Sequence, residues 1–571
     1  MNTDVLSIAT QNAKLWTSGI FDEETRAEAQ ALLDKGGDYL IEPFYRDLDF
    51  GTGGMRGIMG VGTNRINPYT LGTATTGLIN YAKETYGRKD LKAAIAFDSR
   101  NNSKAFARKV AEVLSANGVH TYLFKELRPT PELSFAVREL GCDFGIVLTA
   151  SHNPKEYNGY KVYWNDGGQL VPPHDGGVIA KVRQTKFEDI NWNANEDLIE
   201  TISEAIDSKY IANVVAQSLN NDGKEDLKVV FTALHGTSIV SVPPALKASG
   251  FTNVHIVEEQ ANPDGNFPTV VSPNPEEGAA LAMGIGQAQA SGSDIVIGCD
   301  PDTDRVGIAA NDGTGKMQLL NGNDTAALLV HYVLSQADAH NAVPDNPFTA
   351  ATVVTTDLIA KISERYNIPC FRCLTGFKWI ADIINNKPEM NFMVGGEESY
   401  GYLIGDSVRD KDAVASAVMI AEMAAHAKAQ GRTVLDQLEA IHREFGQYQE
   451  RLISITKKGR SGAQEIADMM TALRNHPPKT LAGSPVVVAI DHSNSTQTAL
   501  RSGATTSTEL PASNVLQFIT EAGDKVSARP SGTEPKIKFY FSVCTSTGEN
   551  HAATKAELER KIDTFIEELN L

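Results

Sequence analysis

Short runs of apolar residues alternate with longer amphipathic segments through the first part of the chain. Residues 93–98, 121–124 and 144–148 are apolar runs with the length and branching of buried strands. Between the first two runs, residues 103–116 carry their apolar side chains at the spacing of an amphipathic helix. A strand, a helix and a strand at this spacing predict a βαβ unit in a parallel or mixed sheet.

The rest of the chain repeats this kind of pattern. Residues 1–45 predict an N-terminal helical extension packed on the first domain, and a polar stretch at 191–208 leads out of the first sheet. The further predicted elements are strands at 227–232 and 294–299 with a helix at 276–290, a helix from 324 with strands at 352–355 and 392–394 and a helix at 413–429, and strands at 451–454, 485–489 and 537–541 with a final helix.

These elements predict an α/β chain of four domains. Three of them are similar α/β units with mixed sheets, and the last is a smaller C-terminal α+β unit. The expected domain boundaries are 1–208, 209–319, 320–446 and 447–571.

The length and charge of the chain restrict its class of function. A chain of 571 residues is too long for a single hydrophobic core. Its formal net charge of −19, from 52 basic and 71 acidic residues, argues against nucleic acid or an anionic membrane as a principal partner. The five cysteines are scattered, and the sequence has no pattern of a secretory leader or a membrane span. We therefore expect a cytoplasmic protein without membrane contact or an obligatory protein partner.

Ser151 is the first candidate for chemistry. It lies in the segment TASHNP, residues 149–154, directly after the apolar run 144–148 and so past the carboxyl end of a predicted strand. In open α/β sheets, ligands bind at that edge. A hydroxyl beside His152 in a proline-stiffened turn indicates a nucleophile, either of the Ser-His hydrolase kind or as a phosphate carrier. The alternative is a serine turn that caps a helix.

Three aspartates follow another predicted strand at alternate positions: Asp300, Asp302 and Asp304. Carboxylates concentrated at a strand end repel one another unless a cation neutralises them. Hard oxygen ligands with open positions left for a phosphate suit Mg²⁺. Arg305 comes next and can hold a phosphate with its guanidinium fork. The alternative interpretation is an acidic, solvated turn.

Three further loops have the composition of ligand-binding segments. Residues 49–57 place four glycines around Arg56, which suits a backbone that approaches a ligand closely. Residues 395–401 place Glu397 beside a second glutamate in a flexible loop, where the pair can accept hydrogen bonds from sugar hydroxyls. Residues 529–536 combine Arg529 with hydroxyls and a glycine, which favours phosphate binding. The alternative for the glutamate pair is a charged turn.

A carrier serine, a metal triad, a hydroxyl-binding loop and a phosphate-binding loop are the parts that phosphoryl transfer on a sugar phosphate needs. With these motifs in this order, the chain resembles the α-D-phosphohexomutases, and among them the phosphoglucomutases, over essentially its whole length. The resemblance implies four domains around a central cleft, each contributing one motif. It also implies an isomerase that interconverts α-D-glucose 1-phosphate and glucose 6-phosphate through a phosphoserine and a glucose 1,6-bisphosphate intermediate.

The resemblance assigns roles to individual residues. Ser151 carries the phosphate and, with Asp300, Asp302 and Asp304, binds Mg²⁺, and a sugar 1,6-bisphosphate acts as activator. The expected partner is a small-molecule sugar phosphate. The other implied catalytic residues are Arg56, His152, Lys161, Arg305 and Lys411, and the implied substrate contacts are Asp304, Lys378, Glu397, Ser399, Arg529, Ser531, Gly532 and Thr533.

Some alternatives stay open at this point. Lys161 can serve as general acid and base if desolvation lowers its pKa toward neutrality, and Lys411 is its rival. The bacterial mannose/glucose branch has a histidine at the position of Gly401, so this glycine argues against phosphomannomutase activity. The N-terminal extension and the glycine-rich segment resemble the branch that includes phosphopentomutases. Phosphopentomutase or phosphomannomutase activity, a metal-dependent phosphatase and a non-catalytic sugar-phosphate-binding protein are the alternatives.

Overall fold

The computed structural model describes residues 2–51, 53–457, 459–531, 536–545 and 550–571. The chain forms two compact units. Unit 1 comprises Met1–Asn321, Phe377–Met393 and Ser399–Thr433, and unit 2 comprises Gly322–Gly376, Val394–Glu398 and Val434–Leu571.

The predicted N-terminal helical extension is confirmed, and in unit 1 it consists of α1 (Asn2–Trp16), α2 (Glu23–Lys35) and α3 (Gly37–Phe44). The side chain of Asp22 caps α2 by accepting a hydrogen bond from Thr25 N. Trp16 and Phe44 are fully buried in an aromatic cluster that also includes Tyr69. The extension is therefore packed on the first domain, as expected.

A six-stranded mixed sheet is the core of the first α/β domain. Its elements are β1 (Gly54–Ile58), α4 (Pro68–Tyr86), β2 (Lys92–Phe97), α5 (Ser103–Ala116), β3 (His120–Phe124), α6 (Thr130–Glu139), β4 (Phe144–Leu148), β5 (Tyr157–Trp164), α7 (His174–Gln184) and β6 (Ile199–Ile202). The strand order is β1-β5-β4-β2-β3-β6, with β5 antiparallel to β4 and β1 antiparallel to β5. Every residue of β4 is buried, which explains its continuous apolar run.

The polar stretch at 191–208 is more than a connection. It contains β6, which pairs in parallel with β3, and the first turn of α8 (Glu204–Ala216). β6 is the edge strand of the sheet and its two central residues are exposed, so it lacks the apolar pattern that marks the inner strands. Short 3₁₀ helices also occur in unit 1, at Phe187–Asp189, Glu196–Leu198, Thr237–Val240 and Glu258–Gln260.

A five-stranded mixed sheet follows in unit 1. Its elements are β7 (Val229–Thr232), α9 (Val242–Ala248), β8 (Val254–Ile256), α10 (Gly278–Ser291), β9 (Ile295–Cys299), β10 (Val306–Asn311) and β11 (Met317–Leu319). The order is β11-β10-β9-β7-β8, in which β8, β7 and β9 run parallel. β9 is buried throughout and ends directly before Asp300.

The elements of the third segment are divided between the units. Unit 2 contains α11 (Gly322–Ala339), β12 (Pro347–Thr352), α12 (Leu358–Arg365) and β13 (Cys370–Cys373), and unit 1 contains α13 (Lys378–Asn386). β14 (Asn391–Glu397) has residues in both units, β15 (Gly401–Ile404) and α14 (Ala413–Ala429) belong to unit 1, and α15 (Val434–Phe445) belongs to unit 2. β12 and β13 pair in parallel.

Two predictions for this segment are wrong. The strand expected at 352–355 lies earlier, at Pro347–Thr352, and Val353 and Val354 instead form a buried turn that packs against Tyr540. The flexible loop expected at 395–401 begins later, because β14 continues through its two glycines to Glu397. A Cβ at Gly395 would lie 2.2 Å from the carbonyl oxygen of Ala350, so the glycine permits close backbone packing.

The C-terminal part of unit 2 is an antiparallel sheet with helices packed on it. Its elements are β16 (Gln447–Thr456), α16 (Gly459–Asn475), β17 (Thr480–Leu481), β18 (Ser484–Asp491), β19 (Thr496–Ala499), β20 (Ala504–Ser507), β21 (Leu516–Thr520), β22 (Lys525–Pro530), β23 (Lys536–Thr545) and α17 (His551–Glu568). The order is β16-β23-β22-β21-β18-β19-β20, with β17 paired to β18. Leu558, Ile562 and Phe565 bury one face of α17, as predicted.

The predicted fold class is confirmed, because the chain contains several mixed α/β sheets and a C-terminal domain of a different kind. Among the described residues, none of the helices has the length and apolar character needed to cross a membrane.

Candidate active site

Ser151 lies directly past the carboxyl end of β4, in a backbone conformation that serine rarely adopts. Its φ is 50°, in the left-handed region, and its side chain is buried. Ser151 N donates a hydrogen bond to Thr149 Oγ1 at 2.8 Å. The Ser151 hydroxyl donates to Asp300 Oδ2 at 2.7 Å and lies 3.2 Å from His152 Nδ1. The loop after β4 therefore presents this hydroxyl to the loop after β9.

The three predicted aspartates come together at the end of β9. Asp300, Asp302 and Asp304 are buried, and each offers a carboxylate oxygen within 4.8 Å of those of the other two. Asp300 Oδ1 accepts hydrogen bonds from Asp304 N at 3.1 Å and Arg305 N at 3.0 Å, so the turn is closed by its own first residue. The alternative of a solvated acidic turn is wrong, because all three carboxylates are buried.

The aspartate cluster fits a divalent metal ion. Asp302 Oδ1 and Asp304 Oδ1 are buried and accept no hydrogen bond within the described parts of the chain. Unpaired carboxylate oxygens are costly in the interior, and a cation satisfies them. Burial, and then the charges of Asp302 and Asp304, raise the pKa of Asp300 well above its usual range. A set of carboxylate oxygens is the donor set of a hard cation, so these residues can hold a metal ion.

Two lysines contact the same aspartates. Lys161 Nζ lies 2.7 Å from Asp302 Oδ2 and 3.0 Å from Asp304 Oδ2, and Lys411 Nζ lies 3.2 Å from Asp304 Oδ2 and 3.0 Å from Asp410 Oδ1. Burial alone lowers the pKa of Lys161, but the charges of Asp302 and Asp304 outweigh burial and raise it. The lowering of this pKa by desolvation, which was the condition for Lys161 to act as general acid and base, is therefore not found, and the ammonium form of Lys161 is favoured.

Two arginines, Arg56 and Arg305, lie close enough to the serine loop for their charges to act on His152. Arg305 forms an ion pair with Glu276, and its Nε lies 3.9 Å from Asp304 Oδ1. Arg56 Nη1 donates a hydrogen bond to Asn153 Oδ1 at 2.8 Å. Burial, and then the charges of Arg305 and Arg56, lower the pKa of His152 well below its usual range. The neutral form of His152 is thus favoured, and the two arginines place positive charge beside the serine loop.

The glycine-rich segment differs in structure from the expected loop. Arg56 lies within strand β1, in register with Gly159 of β5. Gly54 has a φ of 127°, and a Cβ there would lie 1.8 Å from Tyr160 O. This glycine is therefore required by the close approach of β5, and the strand holds Arg56 beside the serine loop.

Lys378 and Ser399 are predicted substrate residues of unit 1 that lie outside the contacts described above for Ser151 and the three aspartates. Lys378 Nζ lies 3.7 Å from Asp175 Oδ2, 3.5 Å from Leu170 O and 4.9 Å from the ring centre of Trp379. Burial, opposed by Asp175, lowers the pKa of Lys378. Ser399 is half-buried in the turn after β14.

The remaining predicted residues belong to unit 2. Glu397 Oε1 accepts a hydrogen bond from Gly376 N at 2.7 Å, and Glu398 accepts from the hydroxyls of Thr352 and Thr355. Burial, and then the charge of Glu397, raise the pKa of Glu398 to about 7. Arg529 lies near the end of β22 and Ser531 N donates to Lys536 O at 2.7 Å. Gly532 and Thr533 lie outside the described residues.

Two threonines that the sequence reasoning missed hold the aspartate loop. Thr130 N donates to Asp302 O, and Thr130 Oγ1 donates to Asp302 Oδ2, both at 2.9 Å. Thr237 Oγ1 lies 2.7 Å from the hydroxyl of Thr303, whose φ of 59° is also in the left-handed region. The position of Thr130 after β3, at the same sheet edge as Ser151, was the signal available for it. No local signal marks Thr237.

Three family models match the chain in order. They are described as phosphoglucomutase/phosphomannomutase, alpha/beta/alpha domain I at residues 47–189, domain II at residues 208–313 and domain III at residues 321–444. Together they cover the serine loop, the aspartate loop and the glutamate pair.

Characterised sequences and solved structures agree with these models. A phosphoglucomutase of Staphylococcus haemolyticus is 36% identical over 506 residues, which cover 88% of this chain and 91% of the relative. One of Staphylococcus aureus is 36% identical over 543 residues, or 94% of this chain and 96% of the relative. The open form of the Paramecium phosphoglucomutase pp63/parafusin has a TM-score of 0.68 at 16% identity, covering 92% of this chain and 96% of that one, and supports the fold alone.

Proposed function

The chain belongs to the phosphoglucomutase/phosphomannomutase family of α-D-phosphohexomutases, and on this premise we propose its reaction and the roles of its residues. It is an enzyme of the phosphohexomutase type with phosphoglucomutase-type activity. We propose that it interconverts α-D-glucose 1-phosphate and glucose 6-phosphate through a phosphorylated Ser151 and a glucose 1,6-bisphosphate intermediate.

The contact between Ser151 and Asp300 carries this proposal. The serine hydroxyl lies 2.7 Å from a carboxylate of a buried triad that can hold a cation. Arg56 donates a hydrogen bond to Asn153 of the serine loop, and the charges of Arg305 and Arg56 reach His152 beside the serine. A phosphate on this hydroxyl would therefore face both a metal ion and guanidinium groups. A hydrolase with a Ser-His pair would need a basic histidine, whereas the pKa of His152 is lowered. Phosphate carriage agrees better with these contacts than nucleophilic attack activated by His152.

The proposed reaction starts with a phosphoryl group on Ser151 Oγ. The free 6-hydroxyl of glucose 1-phosphate attacks the phosphorus atom, the P–O bond to Ser151 breaks, and a P–O bond to the sugar forms. The sugar hydroxyl gives up its proton to a base, and Ser151 Oγ receives a proton. The bisphosphate then turns over and returns its 1-phosphate to Ser151, which leaves glucose 6-phosphate. A trace of bisphosphate acts as activator because it phosphorylates any free Ser151.

Charge is the main requirement of this chemistry. Hydrolysis of phosphate monoesters in water is among the slowest known reactions, so fixed positive charge around the phosphoryl group must supply much of the acceleration. We propose that Asp300, Asp302 and Asp304 hold Mg²⁺, which when bound neutralises charge on the phosphate of Ser151. Arg305 and Arg56 stabilise charge on the phosphoryl oxygens, and His152 is a supporting contact.

Lys161 is the proposed general acid. It is an ammonium between Asp302 and Asp304, so it can donate the proton that Ser151 Oγ takes up when the phosphoryl group leaves. Lys411 is the rival, because its Nζ also contacts Asp304.

We also propose how the substrate is bound. Glu397 and Ser399 contact the sugar hydroxyls, and Lys378 contacts the ligand. Arg529, Ser531, Gly532 and Thr533 bind the phosphate that is not reacting. We retain the domain boundaries 1–208, 209–319, 320–446 and 447–571, which lie close to the ends of the three matched family regions. The five cysteines are few and scattered, which agrees with a reducing compartment, and we propose the cytoplasm.

Replacement of the serine tests the proposal. Ser151→Ala is expected to abolish interconversion of glucose 1-phosphate and glucose 6-phosphate in the presence of Mg²⁺ and glucose 1,6-bisphosphate. Ser249→Ala, at a buried serine at the end of α9, is the matched control and retains activity. Full turnover in Ser151→Ala contradicts the proposal. Release of inorganic phosphate in proportion to substrate consumed identifies a phosphatase instead, and tight binding without turnover identifies a binding protein.

The preferred sugar needs a separate assay. We propose glucose, with phosphopentomutase and phosphomannomutase activities as alternatives on the same scaffold. Competition between glucose, mannose, glucosamine and pentose 1-phosphates in one reaction gives the ratio of their kcat/KM values. A ratio that favours a pentose or mannose substrate contradicts the assignment to glucose.

A further inference from the structure

Arg100 is a buried arginine that holds the backbone of the serine loop from inside the domain. Its Nη2 donates to the carbonyl oxygens of Ser151 and Asn153, both at 2.5 Å. Its Nη1 donates to Pro154 O at 2.8 Å and Tyr157 O at 3.1 Å. Its side chain is fully buried, and its guanidinium carbon lies 5.1 Å from the ring centre of Phe267. One guanidinium thus fixes both the start and the end of the loop that carries Ser151.

Asp98 connects this arginine to the residue before the loop. Arg100 Nε lies 3.3 Å from Asp98 Oδ2, and the same oxygen accepts a hydrogen bond from Thr149 Oγ1 at 2.7 Å. Thr149 Oγ1 in turn accepts the hydrogen bond from Ser151 N. Asp98 Oδ1 accepts from Ser103 Oγ at 2.7 Å. Asp98 and Arg100 follow β2, which pairs in parallel with β4, so neighbouring strands bring this network under Ser151.

The network acts on a conformation that needs support. Serine at φ 50° is strained relative to its preferred regions, and such conformations persist when surrounding contacts over-determine them. Burial lowers the pKa of Arg100, opposed by the charge of Asp98, so the arginine is held charged in the interior at a cost. A buried guanidinium that donates to four carbonyl oxygens of one loop restrains the position of each of these oxygens.

We propose that Arg100, together with Asp98 and Thr149, is the positioning network that holds Ser151 Oγ at the place where phosphoryl transfer occurs. This inference rests on the proposed role of Ser151 as phosphate carrier. Arg100 acts through the loop backbone and touches neither the phosphate nor the sugar. Its loss therefore changes how often Ser151 Oγ is aligned with Asp300, which affects kcat, and leaves the groups that contact the sugar phosphate unchanged, which preserves KM.

Two variants and one control test the network. Arg100→Lys keeps the positive charge but cannot reach four carbonyl oxygens in two directions. Thr149→Val keeps the shape of the side chain and removes both its donor and its acceptor. Arg128→Lys is the matched control, because Arg128 is also a buried arginine of unit 1 but holds Asp207 instead of the loop, with hydrogen bonds of 2.9 and 2.6 Å.

The measurements are kcat, KM and hydrogen exchange of residues 151–157 in the free protein. We expect kcat to fall at least about tenfold in Arg100→Lys and Thr149→Val, with KM within about twofold of the wild type. Exchange of residues 151–157 becomes faster in both variants, whereas Arg128→Lys shows wild-type kcat and wild-type exchange in this loop. If Arg100→Lys does not fold, Thr149→Val decides the question by the same readouts.

Other outcomes overturn the inference. A folded variant with wild-type kcat, a loss confined to KM, or unchanged exchange at 151–157 shows that the network does not position Ser151. If the wild type itself has no mutase activity, the proposed function fails instead. In that case the exchange measurement still decides whether Arg100 orders the loop: faster exchange in the variants supports the network, and unchanged exchange rejects it.

Discussion

A side chain at position 401 and the side chain of Lys411 cannot occupy the same space. A Cβ at Gly401 would lie 2.0 Å from Lys411 Cδ and 2.6 Å from Lys411 Cγ. The absence of a side chain at Gly401 therefore lets Lys411 pass over the backbone and place its Nζ 3.2 Å from Asp304 Oδ2. In the sequence, Gly401 is only a difference from the mannose/glucose branch. The structure explains why a glycine is required there, because a larger residue would overlap the side chain of Lys411.

Gly401→Ala is expected to displace Lys411 from Asp304. Because the new Cβ overlaps methylene groups in a buried site, the lysine must move, and we expect kcat to fall by at least about tenfold. Gly286→Ala in α10 is the control, since a Cβ there meets no atom within 4 Å. That change is expected to keep activity and to stabilise the protein by about 0.5–1 kcal/mol. Wild-type kcat in Gly401→Ala would show that turnover does not require Lys411 beside Asp304.

Removal of divalent cations is expected to abolish turnover, and Mg²⁺ is expected to restore it. Asp302 Oδ1 is one of two buried aspartate oxygens of this cluster that accept no hydrogen bond from the described residues. Asp302→Asn removes the negative charge of this group, so we expect the affinity for Mg²⁺ to fall at least about tenfold. The rise in thermal midpoint that Mg²⁺ gives the wild type disappears with it. Asp312→Asn, at a half-buried aspartate in the turn after β10, keeps the wild-type response. A wild-type response of Asp302→Asn to Mg²⁺ contradicts the metal site.

His442 is expected to make unit 2 less stable in acid. Burial, and then the charges of His551 and Lys555, lower the pKa of His442 to about 4, and neither ring nitrogen has a hydrogen-bond partner among the described residues. The neutral form is therefore favoured in the folded state. Its stabilising effect is complete above pH 6.5, the ordinary value, and is lost as the pH falls through 4.

Urea unfolding at two pH values checks this effect. Between pH 7.5 and pH 5, the loss from His442 is about 2 kcal/mol in the free energy of unfolding. His442→Phe keeps an aromatic ring against His551, whose ring centre lies 5.3 Å away, and removes this loss. His476→Phe, at an exposed histidine just after α16, leaves the pH dependence as in the wild type. An equal acid loss in His442→Phe would show that other groups are responsible.

The sequence predicted those features that are local along the chain. Residues 103–116 form α5 as predicted, and the aspartates at 300, 302 and 304 meet because a single turn follows a buried strand. The apolar pattern does not mark the strand at 347–352, because its buried Ala350 and Ala351 are only weakly apolar. Val353 and Val354 are strongly apolar and β-branched, so the pattern instead predicts a strand where the structure has the following turn. Periodicity cannot distinguish a buried turn from a buried strand.

The supporting residues of the site depend on contacts distant in sequence. Thr130 reaches Asp302 across 172 positions, and Arg100 reaches Ser151 O across 51. Neither residue stands in a segment with an unusual pattern. The raised pKa of Lys161 likewise depends on carboxylates that follow a strand of another sheet, and the sequence alone does not show that they lie beside the lysine.

The central claim is that Ser151 carries the phosphate, and mapping the phosphorylated residue tests it most directly. The wild type is incubated with Mg²⁺ and glucose 1,6-bisphosphate, and the intact mass and the peptides are then measured. We predict one phosphate per chain, on the peptide that contains Ser151, and its loss in Ser151→Ala. Phosphate on another residue, or turnover by a wild type that never carries phosphate on Ser151, would contradict this account.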